Sequence, residues 1–442
     1  TGSPSTTAVN YLSGTNSTIL IFQYTIIEGN FSIDLDYAST SALSLNGGTI
    51  KDTAGNDANL TLFSPGDTNS LGDNKDLVID GIRPTISSFT ADKGNGTYGI
   101  STNIIITANT SETIKSGNNI TVTLNSTSST LTLEASSNGT TMVGTYTVNE
   151  NDSTNSLTIS SFTIGDVENI IGNSMTSTTV PSGNNMFNGN TIIIDAIRPT
   201  LNQFTISPST DGFYKNGDNL IITAIFSENI ASGNFNVSLN STSSVLTFTS
   251  SGNNQLEQTY TVGSTDSTNG GSLIVTSFTT GTLVDSAGNS MTNTNVPSGS
   301  NMFGNSTIII DTTLPTISNV SSIDGTYIID NSINIKITFS ESVIVNTSGG
   351  TPTLTLVTNT TTPSNTSINY SSGSGTNELI FVYTVVEGDI TNNLDYSSTT
   401  ALTLNGGTIK DSAGNDSNLT LPSPNSSGSL GANNNIIIDG IR

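Results

Sequence analysis

The sequence predicts an all-β protein built from tandem β-sandwich domains arranged as an elongated rod. Three observations lead to this prediction: a long internal repeat, a boundary phrase that recurs along the chain, and runs in which apolar and polar residues alternate. No stretch shows the sustained period of 3.6 residues that an amphipathic helix requires.

The internal repeat relates the two ends of the 442-residue chain. Residues 45–56 return almost letter for letter at residues 404–415, a shift of 404 − 45 = 359 positions. The first 83 residues therefore correspond to the last part of the unit that ends the chain. A repeated supersecondary unit is typical of extension, stacking or multivalent display rather than of a single catalytic centre.

An aspartate-containing phrase marks the predicted domain boundaries. Each copy ends a β-branched run, and three copies place a proline four residues after the aspartate, a pattern that stops one strand and starts the next in extended geometry. The phrases predict a partial immunoglobulin-like domain, its C-terminal part, followed by three complete ones. The predicted bounds are 1–83, 84–198, 199–314 and 315–442.

Each complete domain contains one run with a clear period of two. In the last domain Ile333, Ile335, Ile337 and Phe339 alternate with polar residues, and matching runs begin at Leu220 and Ile104. One face of each run is expected in a core and the other in water. About seven short strands in such a domain, separated by Gly, Asn and Ser turns, fit an immunoglobulin-like sandwich.

The charge balance favours cations as partners. The chain carries 10 Lys and Arg against 34 Asp and Glu, a net charge of −24, and no basic cluster. Nucleic acid and anionic membranes are therefore poor partners, whereas repeated carboxylates invite Ca²⁺. The alternative is that an acidic surface keeps a long fibre soluble.

The residue types that are missing exclude several classes of chemistry. The chain has no Cys, His or Trp, which removes disulfides, zinc and haem sites and the common catalytic triads. No apolar run approaches 18 residues, so we expect no membrane insertion within this stretch. Repetition argues against an enzyme, because a catalytic centre need not be copied in every domain.

Several phrases resemble the bacterial Ig-like repeats of giant cell-surface adhesins and related biofilm-type surface proteins. They are Thr338 to Glu341, Leu394 to Thr408, the Asp-x-Ala-Gly-Asn turn, and Asp311 to Thr316. The resemblance covers all four domains and implies an extracellular location, tandem β-sandwiches and Ca²⁺ held at domain junctions. One departure is that Asn169 stands where the turn aspartate is expected in domain 84–198.

The candidate metal ligands are three carboxylates expected to meet at each junction. If the alternating run is strand B, the Glu that follows it lies at the same end of the sandwich as the F–G turn and the preceding linker. Ca²⁺ takes 6–8 oxygen ligands, so a linker Asp, this Glu and a turn Asp would form part of a site. The alternative is that the Asp closes a turn and the Glu is solvated. The predicted sets are Asp195, Glu228 and Asp285; Asp311, Glu341 and Asp411; and Asp80 and Glu112 with Asp166 or Glu168 as substitutes.

Two further groups of residues are candidates for metal binding and for glycosylation. Asp211 and Asp324 lie in the A–B turn and are possible additional metal ligands, although a Gly-containing turn also explains them and Asn95 replaces the Asp in domain 84–198. Sequons permit glycosylation, but so Asn-, Ser- and Thr-rich a chain contains them by composition alone. Representative sequons begin at Asn16, Asn59, Asn125, Asn240, Asn305 and Asn418.

Three functions remain open from the sequence. The first is a structural repeat region of an extracellular filament or adhesin stalk, with self-contacts between domains and calcium at the junctions. The second is a binding module that recognises a surface glycan or protein, although the lack of Trp weakens it. The third is a subunit that polymerises by β-strand donation. A cell-surface fibre and a virion fibre fit equally well.

Overall fold

The computed structural model describes residues 6–126, 129–359 and 364–442. It is all-β, with 42% of residues in strands and 5% in helices. The chain forms two compact units, the first from residues 1–198 with 287–289 and the second from residues 199–286 with 290–442. Within the described ranges, no helix has both the length and the apolar character needed to cross a bilayer.

Buried apolar residues form three separate cores. One lies in the first unit and spans residues 86–196, and two lie in the second unit and span residues 201–310 and 320–438. Each core is built from the inward faces of strands, because successive side chains of a strand point to opposite sides.

In the first unit, residues 84–198 form two sheets. The larger has six antiparallel strands, and the smaller has three strands, of which the last in the sequence runs parallel to Gly96–Tyr98. Two short 3₁₀ helices follow, Gly183–Asn185 and Phe187–Gly189, and Phe187 packs in the core. In spatial order the strands are Ile159–Ile164, Asn119–Leu124, Thr130–Glu134, Gly139–Thr147, Asn103–Ile114 and Ile86–Ala91 in the larger sheet, and Ser153–Thr154, Ile192–Asp195 and Gly96–Tyr98 in the smaller.

Residues 6–83 contain less regular structure. Tyr11–Ser13 pairs with Ile21–Phe22, Phe31–Ser32 pairs with Ile79–Asp80, and a single helical turn covers Leu71–Asn74. The apolar run at residues 19–25 forms a strand at Ile21–Phe22 alone, shorter than its equivalent at the shift of 359.

The reason is visible in the repeat. The equivalent strand in residues 315–442, Thr376–Thr384, is flanked by Ser332–Asn346 and Ser364–Ser372, whereas among the described strands Ile21–Phe22 pairs with Tyr11–Ser13 alone. As a result Phe22 is 39% exposed, whereas Phe381, its equivalent at the shift of 359, is fully buried.

In the second unit, residues 199–314 form a two-layer sandwich. Two three-stranded antiparallel sheets enclose the core, and a short parallel pair joins the early strand Gly212–Tyr214 to the late strand Ile308–Ile310. The 3₁₀ helices are Gly299–Asn301 and Phe303–Asn305. The two sheets have the orders Leu201–Ser207, Asn219–Phe226, Gln255–Thr261 and Val245–Thr249, Asn234–Leu239, Val275–Thr279.

In residues 315–359 and 364–442, ten strands join into one continuous hydrogen-bonded network. Its first strand in the sequence pairs with the fifteen-residue strand Ser332–Asn346, and a one-turn helix, Leu430–Asn433, precedes the last strand. The strands are Ile317–Ser321, Gly325–Ile328, Ser332–Asn346, Thr353–Asn359, Ser364–Ser372, Thr376–Thr384, Ile390–Thr391, Leu402–Thr403, Thr408–Lys410 and Ile436–Asp439.

The alternating runs are confirmed as strands with one buried face. Ile335 and Ile337 are fully buried, and Lys336 between them is exposed. The same alternation holds in Asn219–Phe226 and Asn103–Ile114.

In residues 315–442 and 84–198 the strand continues past the Ser-Glu pair instead of ending before it. Ser332–Asn346 continues past the Ser-Glu pair through a register shift between Thr338 and Val343, and its end then pairs with Thr408–Lys410. Such a bulge bends a strand and lets it change partners. Glu341 therefore lies inside a strand rather than in a B–C loop, and Glu112 lies likewise within Asn103–Ile114.

Candidate metal centres at the domain junctions

Three carboxylates meet inside the second unit, at the start of the last domain. Asp311 follows the strand Ile308–Ile310, Glu341 lies at the bulge, and Asp411 follows Thr408–Lys410. One carboxylate oxygen of each lies within 4.8 Å of the other two. The structure thus brings together all three residues that the sequence predicts for this junction.

The environment of this group penalises negative charge. Asp411 is only 3% exposed, and Asp311 and Glu341 are half-buried. Burial raises the pKa of Glu341, and the neighbouring Asp311 and Asp411 raise it further. Three such acids repel one another unless a cation or protons offset the charge.

The turn that carries Asp411 is held by its own hydrogen bonds. The backbone N–H of Asn415 donates to Oδ1 of Asp411, and the Asn415 side-chain amide donates to Oδ2, both across 2.8 Å. Each carboxylate oxygen keeps a further lone pair, because a carboxylate offers about four acceptor sites. Asp411 is therefore fixed in place and can still serve as a ligand.

Asn415 also ties this turn to the preceding linker, a role that the sequence analysis missed. Its amide donates to the carbonyl oxygen of Asp311 across 2.9 Å. In the first unit Asn173 donates in the same way to the carbonyls of Asp80 and Ile82, both across 3.0 Å. The recurrence of Asn at the end of the Asp-x-Ala-Gly-Asn phrase was the available signal.

The junction inside the first unit is built differently. Among the described residues, Asp80 and Glu112 belong to no group of three acidic side chains whose oxygens all lie within 4.8 Å of one another. The substitutes suggested by the sequence are elsewhere: Asp166 is exposed, and Glu168 accepts a hydrogen bond from Lys115 across 2.7 Å. That hydrogen bond and the Lys115 charge lower the pKa of Glu168.

The remaining predicted set is divided between the two units and stays a prediction. Asp195 ends the strand Ile192–Asp195 in the first unit, where its carbonyl accepts a hydrogen bond from the Asn289 amide across 2.8 Å. Glu228 follows Asn219–Phe226 in the second unit, and Asp285 is a buried residue of that unit.

The A–B turn aspartates act as hydrogen-bond acceptors for a neighbouring strand. Oδ1 of Asp211 accepts the backbone N–H of Thr307 across 2.7 Å. Asp324 accepts hydrogen bonds from the Asn434 amide and the Asn435 backbone, and these lower its pKa. Asn95 accepts the same kind of backbone bond, from Thr191 across 2.7 Å, so a neutral side chain suffices for this role.

The sequon asparagines fall into two groups. Asn16, Asn59, Asn305 and Asn418 are exposed. The amides of Asn125 and Asn240 instead link two segments of the chain, with the nitrogen donating to the carbonyl oxygen of Ser156 or Ser272 and the oxygen accepting the backbone N–H of Thr158 or Ile274. Thr127, which completes the Asn125 sequon, lies outside the described residues.

Comparison with known proteins gives no assignment. No family model matches the chain, and no curated protein matches it.

Proposed function

We propose that the chain is the structural repeat region of an extracellular filament or adhesin stalk, made of tandem immunoglobulin-like domains in an elongated rod. Calcium ions stiffen its domain junctions. The observation that carries this proposal is the convergence of Asp311, Glu341 and Asp411, three residues far apart in the sequence, where a linker enters the last domain.

The donor set suits a hard divalent cation. Ca²⁺ binds oxygens at about 2.3–2.6 Å, so two ligands on opposite sides of the ion are at most roughly 5 Å apart. The mutual spacing of these three carboxylates, within 4.8 Å, fits that limit. A calcium ion there would be held by Asp311, Glu341 and Asp411, and it would relieve the repulsion that raises the pKa of Glu341.

Four of the eleven tyrosines lie in the cores, where they cannot serve a glycan-binding surface. Sugar-binding surfaces need exposed aromatic rings, and the chain has no Trp. Tyr146, Tyr260, Tyr383 and Tyr396 are all at least 96% buried and belong to the cores. Their rings contribute to folding rather than to a recognition surface.

The decisive experiment is calcium titration of the full chain and of two variants. Calorimetry and hydrogen exchange should detect Ca²⁺ binding that protects the turn at residues 411–415 in the wild-type chain. Asp411→Asn should abolish this local protection and remove one binding event. Asp416→Asn is the matched control, because its carboxylate is 79% exposed, lies five residues along the same turn, and carries the same charge.

The size of the effect can be bounded. A ligand at 100 times its dissociation constant stabilises the state that it binds by about 2.7 kcal/mol. If Ca²⁺ protects the wild-type chain and the Asp411→Asn variant equally, the proposed site is wrong. Small-angle scattering of the same samples tests the rod. Calcium should increase the largest interatomic distance of the particle, and a compact particle would refute the stalk.

A further inference from the structure

Asn169 occupies the turn position of the missing aspartate, and its oxygen is fully engaged by the turn. Oδ1 accepts three backbone N–H groups, from Ile171 across 3.1 Å and from Gly172 and Asn173 across 2.9 Å. Only an oxygen can accept these bonds, so the orientation of the amide is determined and its nitrogen points away from the turn.

The nitrogen of Asn169 points at the two remaining acids of the junction. Nδ2 donates to Oε2 of Glu112 across 3.1 Å and lies 3.4 Å from both Oδ2 of Asp80 and the carbonyl oxygen of Ile82. Asn169 is 2% exposed, so these contacts are shielded from water. Hydrogen bonds to charged acceptors are stronger than neutral ones, which makes this amide a substantial link between linker and domain.

Asn169 and Asp411 differ in one terminal atom of the side chain. Both side chains use Oδ1 to accept the backbone N–H four residues later, from Asn173 or from Asn415. The second atom differs: Asp411 presents an acceptor oxygen, whereas Asn169 presents a donor nitrogen. An N–H group cannot coordinate a cation, and its hydrogens occupy the space between the carboxylates.

We propose that Asn169 makes the junction between residues 1–83 and 84–198 independent of divalent cations. The choice of Asn or Asp at this turn position then decides whether a junction is closed by an amide or by a metal ion. The metal half of this inference rests on the proposed function above, and the amide half rests on the hydrogen bonds of Asn169 alone. A filament with both kinds of junction would keep some joints fixed when calcium is removed while others loosen.

The test replaces Asn169 with Asp in the full chain. Asn169→Asp keeps the oxygen that the turn needs and replaces the donor nitrogen with a third carboxylate oxygen. In chelator, hydrogen exchange of peptides covering residues 79–85 and 169–173 should accelerate at least several-fold relative to wild type. Calcium should restore the protection, and calorimetry should show one more bound Ca²⁺ than in the wild-type chain. Adding Glu112→Gln to this variant should remove the extra ion, which separates a built site from general charge binding.

The outcomes distinguish this inference from the proposed function. If wild-type peptides 79–85 and 169–173 gain protection on adding calcium, or if Asn169→Asp exchanges like wild type in chelator, the amide link is refuted. If Asn169→Asp loses protection but gains no ion, the rule that this position selects the metal is refuted. A failure of Asp411→Asn to remove an ion contradicts the calcium proposal and leaves the chelator result for Asn169 unaffected.

Discussion

The hydroxyl of Tyr260 donates a hydrogen bond to Oδ2 of Asp266 across 2.8 Å, and both residues are buried. The same oxygen accepts the backbone N–H of Gly263 across 2.8 Å. A buried acid that accepts two such bonds closes the turn after its strand and anchors it to the core. The arrangement recurs at the same spacing of six residues in Tyr146 and Asp152, Tyr383 and Asp389, and, with an amide acceptor, Tyr24 and Asn30.

Removing the hydroxyl should destabilise the domain that contains it. In Tyr260→Phe the buried Asp266 carboxylate loses a donor, which costs about 1–3 kcal/mol because the acceptor stays desolvated. Hydrogen exchange of Asn219–Phe226, a central strand of that core, measures the loss as faster exchange. Tyr214→Phe is the control, since the Tyr214 hydroxyl bonds Thr210 in an exposed position and its removal should change little.

A neutral acceptor should replace Asp266 at small cost. The Tyr260 hydroxyl and the Gly263 N–H both donate to the same oxygen of Asp266. In residues 6–83, Oδ1 of Asn30 likewise accepts the Tyr24 hydroxyl and the backbone N–H of Ile27. We therefore expect Asp266→Asn to change the unfolding free energy by less than about 1 kcal/mol, whereas Asp266→Leu, which removes the acceptor, should cost about 1–3 kcal/mol. Denaturant unfolding compares the two. Equal losses in both variants would mean that the charge, not the acceptor, stabilises this turn.

The sequence predicted more of the strands than of the polar contacts between them. Ile335 and Ile337 are recognisable because burial imposes a period of two on neighbouring residues. The pairing of Tyr260 with Asp266 was missed, although each of the four paired tyrosines begins a Tyr-Thr-Val or Tyr-Thr-Ile phrase. An Asp in a Gly- and Ser-rich turn has the same local sequence whether it is buried or solvated.

Long-range geometry explains the remaining differences. The meeting of Asp311, Glu341 and Asp411 could be predicted because each belongs to a phrase with a defined place in a sandwich. The part played by Asn169 depends on which amide atom faces the acids, and that is set by backbone bonds that no sequence pattern specifies.

Alkaline pH should destabilise the cores. Burial raises the pKa of four tyrosines, and the hydrogen bond to the paired aspartate raises it further in three of them. In the unfolded chain a tyrosine loses its proton near pH 10. Above that pH the unfolded state binds fewer protons than the folded state. The stabilisation that these tyrosines contribute is therefore fully present below about pH 10 and is lost as the pH rises toward their folded-state pKa. The tyrosines are Tyr146, Tyr260, Tyr383 and Tyr396.

The slope of this loss is measurable. Once a tyrosine is ionised in the unfolded chain, each buried tyrosine lowers the free energy of unfolding by about 1.4 kcal/mol per pH unit. The last domain contains Tyr383 and Tyr396 and should lose stability most steeply, as hydrogen exchange of Thr376–Thr384 across the alkaline range would show. In Tyr260→Phe the slope for residues 199–314 should fall toward zero. A slope that this variant leaves unchanged would assign the alkaline effect to other groups.

The repeated Asn-Gly-Gly phrase should tolerate a methyl group at one end of the chain and not at the other. A Cβ on Gly407 would clash with the carbonyl oxygen of Gly350 and lie 2.8 Å from that of Asn346, both backbone atoms of a facing segment. A Cβ on Gly48, the equivalent position, would meet only the carbonyl oxygen of Leu45 at 3.2 Å. We expect Gly407→Ala to destabilise the last domain by about 1–3 kcal/mol through overpacking, and Gly48→Ala to be nearly neutral. Hydrogen exchange of Thr353–Asn359 monitors the first variant, and thermal unfolding compares both with the wild-type chain. Equal effects would mean that the local turn, and not the close approach of the facing backbone, requires glycine.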